Sequence, residues 1–213
     1  MRAKITELLP KDDCLEGRSV QIPVSGTHAQ NGRSYIAPHP SGHQSIVFGM
    51  GCFWGAERLF WSLPGVYSTA VGYAGGDTPN PSYKEVCSGL TNHTEVVLVI
   101  YDPATISLES LLARFWQEHD PTQGMRQGND RGTQYRSAIY VGSEEELELV
   151  NRSKNEFQDL LRARGYGTIT TEIGIDKSFY YAEDYHQQYL HKVPNGYCGL
   201  AGTGVCFPDR LEV

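Results

Sequence analysis

Of the five cysteines, at positions 14, 52, 87, 198 and 206, Cys52 stands where a thiol could become reactive. A short apolar segment at residues 44–50 precedes it, and Phe53, Ala56, Leu59, Phe60 and Leu63 follow at helical spacing. A thiol where a strand hands over to a helix meets unpaired N–H groups and the positive end of the helix dipole, which favour its ionised form. A free cysteine is only about 3% thiolate at pH 7, and a pKa lowered by about two units would make it mostly thiolate. The expectation is therefore a lowered pKa and a nucleophile, set against the alternative of a small buried hydrophobe.

Phe53 and Trp54 place two aromatic rings beside that thiol. They would form an apolar collar suited to a small alkyl group next to an electrophilic atom, since burying one methyl contributes roughly 0.8 kcal/mol. Phe53 also falls on the inward helical stripe and could be core packing, whereas Trp54 lies off the stripe and needs another explanation. Glu95 opens a valine-rich strand, an expensive place for a carboxylate if the strand is covered on both faces. Burial would raise its pKa and keep it a neutral acid, able to protonate an oxygen that grows basic during a reaction. Tyr83 and Tyr135 approach from turn-rich segments and could hydrogen-bond the same oxygen, although tyrosine is common here at 13 residues and core filling explains each one singly. Cys198 and Cys206 lie in residues 196–206, where four glycines fall within nine residues, 196–204. Such backbone suits a resolving thiol, which must approach an oxidised sulfur and then be attacked in turn.

The elements that must position these groups alternate. A strand at residues 44–50 leads into the Phe53 helix, which Pro64-Gly65 stops before a strand at 66–73 and a Gly/Pro loop at 75–81, a βαβ unit. Residues 93–101 give the strongest strand signal and a central position. Ser107 caps a helix ending near His119, residues 134–141 form a further strand, and Ser143 with Glu146 makes a capping box for a helix to Arg164. A last strand at 168–173 and a Tyr- and His-rich helical stretch at 182–191 follow. The pattern is α+β: a two-layer sandwich of one mixed sheet with packed helices, some strands being parallel. It is expected as a single domain with a surface-wrapping arm at residues 1–44, a core at 45–192 and a flexible, glycine-rich tail at 193–213.

Composition removes several classes. The net charge of −7, without a dense Lys/Arg stripe, argues against nucleic acid. The longest aliphatic run, Val96 to Ile100, is far short of the roughly 20 residues that cross a bilayer. Residues 1–14 lack a signal-peptide core, so a cytoplasmic protein is expected. An odd set of cysteines without a Cys-x2-4-Cys clip argues against both a disulfide framework and structural zinc, and no metal is expected.

Gly51-Cys52-Phe53-Trp54-Gly55, Gly72-Tyr73-x-Gly75-Gly76, Pro81-x-Tyr83, His93-x-Glu95, residues 127–137 with Asp130 and Tyr135, and Tyr185-His186-Gln187-x-Tyr189-Leu190 together resemble peptide methionine sulfoxide reductase of the A type. The resemblance covers roughly residues 45–208. It implies a ferredoxin-like core and reduction of the S epimer of methionine sulfoxide, free or in proteins. It also implies recycling by thioredoxin, for which another dithiol could stand in; no bound cofactor and a monomer are expected. By position, Cys52 would attack the sulfoxide sulfur, Glu95 would protonate the oxygen, and Tyr83 and Tyr135 would assist. Phe53 and Trp54 would hold the methyl group, and Asp130 would shape the polar side. Cys198 would resolve the Cys52 sulfenic acid and Cys206 would move the disulfide into the tail, leaving Cys14 and Cys87 as structural thiols.

Three rivals share some of these residues. Cys52-x5-Arg58 matches a cysteine phosphatase core, although Phe53 and Trp54 crowd a phosphate cradle, Glu57 would repel a dianion, and Arg58 lies nearly two turns from the sulfur. A peroxide-reducing thiol enzyme would not need the collar. A module that binds methyl-bearing peptides would not need the thiol.

Overall fold

The computed structural model describes residues 5–208; residues 1–4 of the expected arm and 209–213 of the expected tail lie outside the described residues. Four antiparallel strands, β1 (Gln44–Met50), β2 (Val66–Ala74), β3 (Thr94–Tyr101) and β6 (Ser137–Val141), stand in the order β6-β1-β3-β2. That is the ferredoxin-like split βαβ arrangement. The βαβ unit read from the sequence is present, but β3 is inserted between its two strands, so β1 and β2 each pair with β3. Two edge strands extend the sheet. β7 (Glu172–Ile175) joins β6 in the sheet's parallel pairing, and β8 (Tyr180–Tyr181) joins β2. A two-residue ladder, β4 (Arg126–Gln127) with β5 (Asp130–Arg131), forms a separate hairpin.

Every residue of β3 is buried, and its two sets of alternating side chains enter different cores. Val97, Val99 and Tyr101 face α1 (Phe53–Trp61), α3 (Leu108–Glu118) and α4 (Glu144–Ala163). Phe48 centres this layer, stacked between Phe60 of α1 at 4.9 Å and Phe115 of α3 at 5.1 Å. Val96, Leu98 and Ile100 face the opposite side, where Tyr35 and Val24 of the arm and Phe179 and Tyr181 near β8 cover them. The arm thus completes the burial of a sheet whose helices occupy one face only. Its Ser25 and Ala29 amides donate to the side chains of Asp184 and Gln188, and the Tyr181 hydroxyl donates to the Tyr35 carbonyl at 3.2 Å.

Local signals explain most boundaries. Ser107 and Ser143 accept from the amides three residues on, as caps do. Glu146 reaches back to the Gly142 amide and not to that of Ser143, so the expected box is completed one residue early. A full capping box does exist at Ser82 and Glu85, heading a short helix, α2 (Tyr83–Ser88), that hydrophobic periodicity did not reveal. Residues 134–136 are not strand, because a 3-10 turn at Thr133–Tyr135 precedes β6. The last long strand starts at Glu172, four residues later than expected, since Thr170 is tied by its amide and hydroxyl to the Pro121 carbonyl. Of the expected helical stretch at 182–191, only its end is α-helical, as part of α5 (Tyr189–Lys192), after turns closed by Gln188 at φ +47°.

The tail, expected to be loose, has firm contacts where it is described. Val205 and Phe207 are buried, Phe207 packs on Phe157 at 5.1 Å, and the Tyr166 hydroxyl donates to the Thr203 carbonyl at 2.9 Å. No helix among the described residues is long and apolar enough to cross a membrane. Truncating the ring at the centre of the helix-facing core, Phe48→Ala, is expected to cost about 3–5 kcal/mol, read as a lower urea midpoint with an unchanged slope.

Candidate active site

β1 ends at Met50, and Gly51 turns the chain at φ +87°, a conformation that L side chains rarely adopt. A Cβ there would also stand 2.6 Å from Cβ of Gln127, so the turn requires glycine twice over. Cys52 then caps α1 with no side-chain acceptor for the first turn. One of the orphan amides finds a partner nonetheless: Phe53 N–H donates to Glu95 Oε2 at 3.1 Å. The Trp54 amide acts on the Cys52 sulfur in the sense that favours its thiolate. Glu95 can reach this turn because it is on the helix-facing side of β3, opposite Tyr73 in the register.

Glu95 is 2% exposed. Burial, reinforced by the nearby Asp130 carboxylate and opposed by the Phe53 amide, pushes its pKa up to about 8. It is therefore a neutral acid at pH 7, as expected for a buried carboxyl at that position. The expectation for Cys52 is corrected. Its pKa is raised, by burial first and by the Glu95 charge second, while the Trp54 amide pulls the other way. The free protein holds a thiol here, because one helix-end amide is a weaker influence than loss of water, to which the Glu95 charge adds once that group ionises.

An open pocket of about 370 Å³, its mouth included, is lined by Cys52, Phe53, Trp54, Tyr83, Glu95, Asp130, Tyr135 and Tyr197. Seven of these eight were singled out from sequence. Tyr83 comes from the first turn of α2, where its amide is held by Glu183 at 2.8 Å, and Tyr135 from the 3-10 turn before β6. Burial raises both phenols, with the Glu95 charge contributing, so both remain protonated donors. Cys87, one turn further along α2, hydrogen-bonds with the Tyr83 phenol and is exposed. Asp130 sits where β5 begins and accepts from the Tyr197 hydroxyl at 3.1 Å.

Trp54 is explained by groups the sequence reading did not assign. Its indole N–H donates to His186 Nδ1 at 3.1 Å, and its ring stacks on Tyr189 at 4.0 Å and 22°. Burial lowers the His186 pKa to about 4, so the neutral ring keeps that nitrogen free to accept. His186 also lies 4.4 Å from the Tyr83 ring and 5.1 Å from Phe53, joining both walls of the collar. The run Tyr185-His186-Gln187-x-Tyr189 was a visible signal; its geometry was not. Tyr197 had no signal beyond adjacency to Cys198.

The remaining thiols divide. Cys198 borders the site, with its sulfur against the first turn of α1 at Gly55. Cys206 is exposed and outside the pocket lining, next to the buried Phe207. Cys14 lies beside Asp77, 3.9 Å from its Oδ2. Arg58 is exposed and does not line the pocket, which removes the phosphatase reading.

Residues 44–204 match the family model for peptide methionine sulfoxide reductase. The chain belongs to the peptide methionine sulfoxide reductase family. Peptide methionine sulfoxide reductase MsrA of Rhodospirillum centenum is 63% identical over 196 residues, covering 92% of this chain and 90% of the relative. The solved structure of methionine sulfoxide reductase A of Corynebacterium diphtheriae superposes with a TM-score of 0.85 at 45% identity, covering 94% of this chain and all of that one. Mxr1 of Saccharomyces cerevisiae in complex with Trx2 is similar at a TM-score of 0.52 and 25% identity, over 78% of this chain and 94% of that chain. The collar, the acid and the thiol thus occur in a chain whose relatives bear the name of a sulfoxide reductase.

Coupling between Cys52 and Glu95 can be measured in a variant that keeps Cys52 as its single thiol. Alkylation by iodoacetamide at pH 7 is expected to be about tenfold or more slower than that of free cysteine. Glu95→Gln should shift the alkylation curve to lower pH, because the charge that opposes the thiolate is gone. An unshifted curve would mean the two groups do not interact.

Proposed function

We propose that this protein reduces methionine sulfoxide to methionine, taking the S epimer both free and in oxidised proteins, and that thioredoxin restores it. The observation that carries this reading is the buried, protonated Glu95 held on the amide next to Cys52, at the floor of a pocket with aromatic walls.

A sulfoxide bound there presents its methyl group to Phe53 and Trp54 and its oxygen to Glu95, Tyr83 and Tyr135. Proton donation from Glu95 makes the substrate sulfur more positive. That charge favours ionisation of Cys52 just when a nucleophile is needed, which offsets the raised pKa of the resting thiol. Cys52 attacks, and oxygen passes from the substrate to its sulfur. Methionine leaves, and Cys52 becomes a sulfenic acid, the reversible rung of thiol oxidation. The thiol proton and the proton lent by Glu95 balance, so the carboxyl is restored.

Cys198 then condenses with the sulfenic acid, releasing water and forming a Cys52–Cys198 disulfide. Attack by Cys206 on the Cys198 sulfur frees Cys52 and leaves a Cys198–Cys206 disulfide at the exposed end of the tail. A dithiol of the thioredoxin class, the kind of partner suggested by the yeast Mxr1 complex with Trx2, reduces that bond. The enzyme's own groups carry the chemistry, with no bound cofactor. An odd set of five cysteines suits a reducing compartment better than a disulfide framework, and our reading is a cytoplasmic monomer.

Reduced protein incubated with excess sulfoxide of defined configuration, without external reductant, should release more than one equivalent of methionine per chain from the S epimer alone. Peptide mapping should then find the Cys198–Cys206 bond. Zero release would defeat the enzymatic reading, and a bond to Cys87 would defeat the recycling order. Because Glu95 acts as an acid, single-turnover reduction should fall as pH rises through about 8. Glu95→Gln should slow that step by about 10²–10⁴-fold.

A further inference from the structure

Gly55 is buried in the first turn of α1 and carries no positive φ, so the backbone there does not require glycine. Inside a helix, glycine is destabilising relative to alanine. Something other than conformation must exclude a methyl group. A Cβ built on Gly55 would stand 2.9 Å from the Cys198 sulfur and 3.2 Å from the Leu200 Cβ, both from the tail that crosses this turn. The empty Cβ position is therefore the place where the tail thiol rests. Cys198 also acts electrostatically on Cys52, which puts the two thiols in one neighbourhood.

We infer that Gly55 is a positioning residue for Cys198: by presenting no side chain it seats that sulfur on the first turn of α1, beside Cys52. It thereby sets the rate at which Cys198 condenses with the Cys52 sulfenic acid. The inference rests on the reductase reading above. The step balances as Cys52–SOH with Cys198–SH giving the disulfide and water. A methyl group at position 55 would displace the Cys198 sulfur, because a short side chain relieves such a contact most easily by rotating about χ1. The sulfur would leave its seat, while the sulfoxide pocket, which Gly55 does not line, would stay intact.

The test compares wild type, Gly55→Ala and Cys198→Ala. In single turnover with excess S-sulfoxide and no reductant, Gly55→Ala should release its first methionine at the wild-type rate. It should then accumulate a sulfenic acid that dimedone traps, as Cys198→Ala does. Formation of the Cys52–Cys198 disulfide should slow by about 100-fold, the scale of loss for a displacement of about an ångström. Thioredoxin-dependent turnover should fall with it, whereas dithiothreitol, which reduces a sulfenic acid directly, should sustain turnover. Thermal unfolding of the variant should be no earlier than that of wild type, which distinguishes a seating role from a folding defect. Adding Gly55→Ala to Cys198→Ala should change nothing further. Disulfide formation at the wild-type rate in Gly55→Ala overturns the inference, as does a slowed first release with normal condensation. If wild type itself releases no methionine, the reductase reading falls and the inference falls with it.

Discussion

The hydrogen bond from the Phe53 amide to Glu95 ties the sheet to the catalytic turn. It joins the start of α1 to the start of β3, and it exists because two independent geometries meet there. A helix leaves its first amides unpaired, and the alternation of a buried strand sends Glu95 toward the helix layer. The carboxyl is kept out of water by its place in a fully buried strand, so its proton affinity is a property of the core as much as of the pocket. If α1 slid along the sheet, the acid, the thiol and the aromatic wall would lose their common reference together.

Sequence patterns carried the fold far because the strongest signals were also the central ones. The valine-dense segment proved to be an inner strand, and the serine caps fixed the starts of α3 and α4. Edges were harder to read. β8 and the β4–β5 hairpin have two residues per strand and therefore no periodicity, and the start of β7 was decided by a long-range contact between Thr170 and Pro121. Pocket residues with one unusual property in one strong context, such as Cys52 at a junction or Glu95 in an apolar strand, were legible. The support for Trp54 was not, because the positions of His186 and Tyr189 depend on how the chain turns after β8.

The ionisation of Cys52 shows where one-dimensional reasoning stops. Its position at a helix start argues for a thiolate, and the amide that does so is present. The opposing influences come from burial and from a carboxylate 43 positions away in sequence, neither of which a local motif reports. A thiol that resists ionisation until substrate charge arrives is also guarded against unrelated oxidants, since the thiolate is the reactive species. Selectivity then resides in the coupling of two protons more than in the intrinsic reactivity of one sulfur.

The arm has a consequence for the molecule's behaviour among its neighbours. The helices shield one side of the sheet, and on the other Tyr35 and Val24 share the work of covering Val47, Ala70, Leu98 and Ile100. The family-matched span begins at residue 44, after these arm residues. A polypeptide that began at residue 44 would keep every residue of the pocket but bare a greasy plateau of β-structure, and crowded solution would reward its sticking to copies of itself.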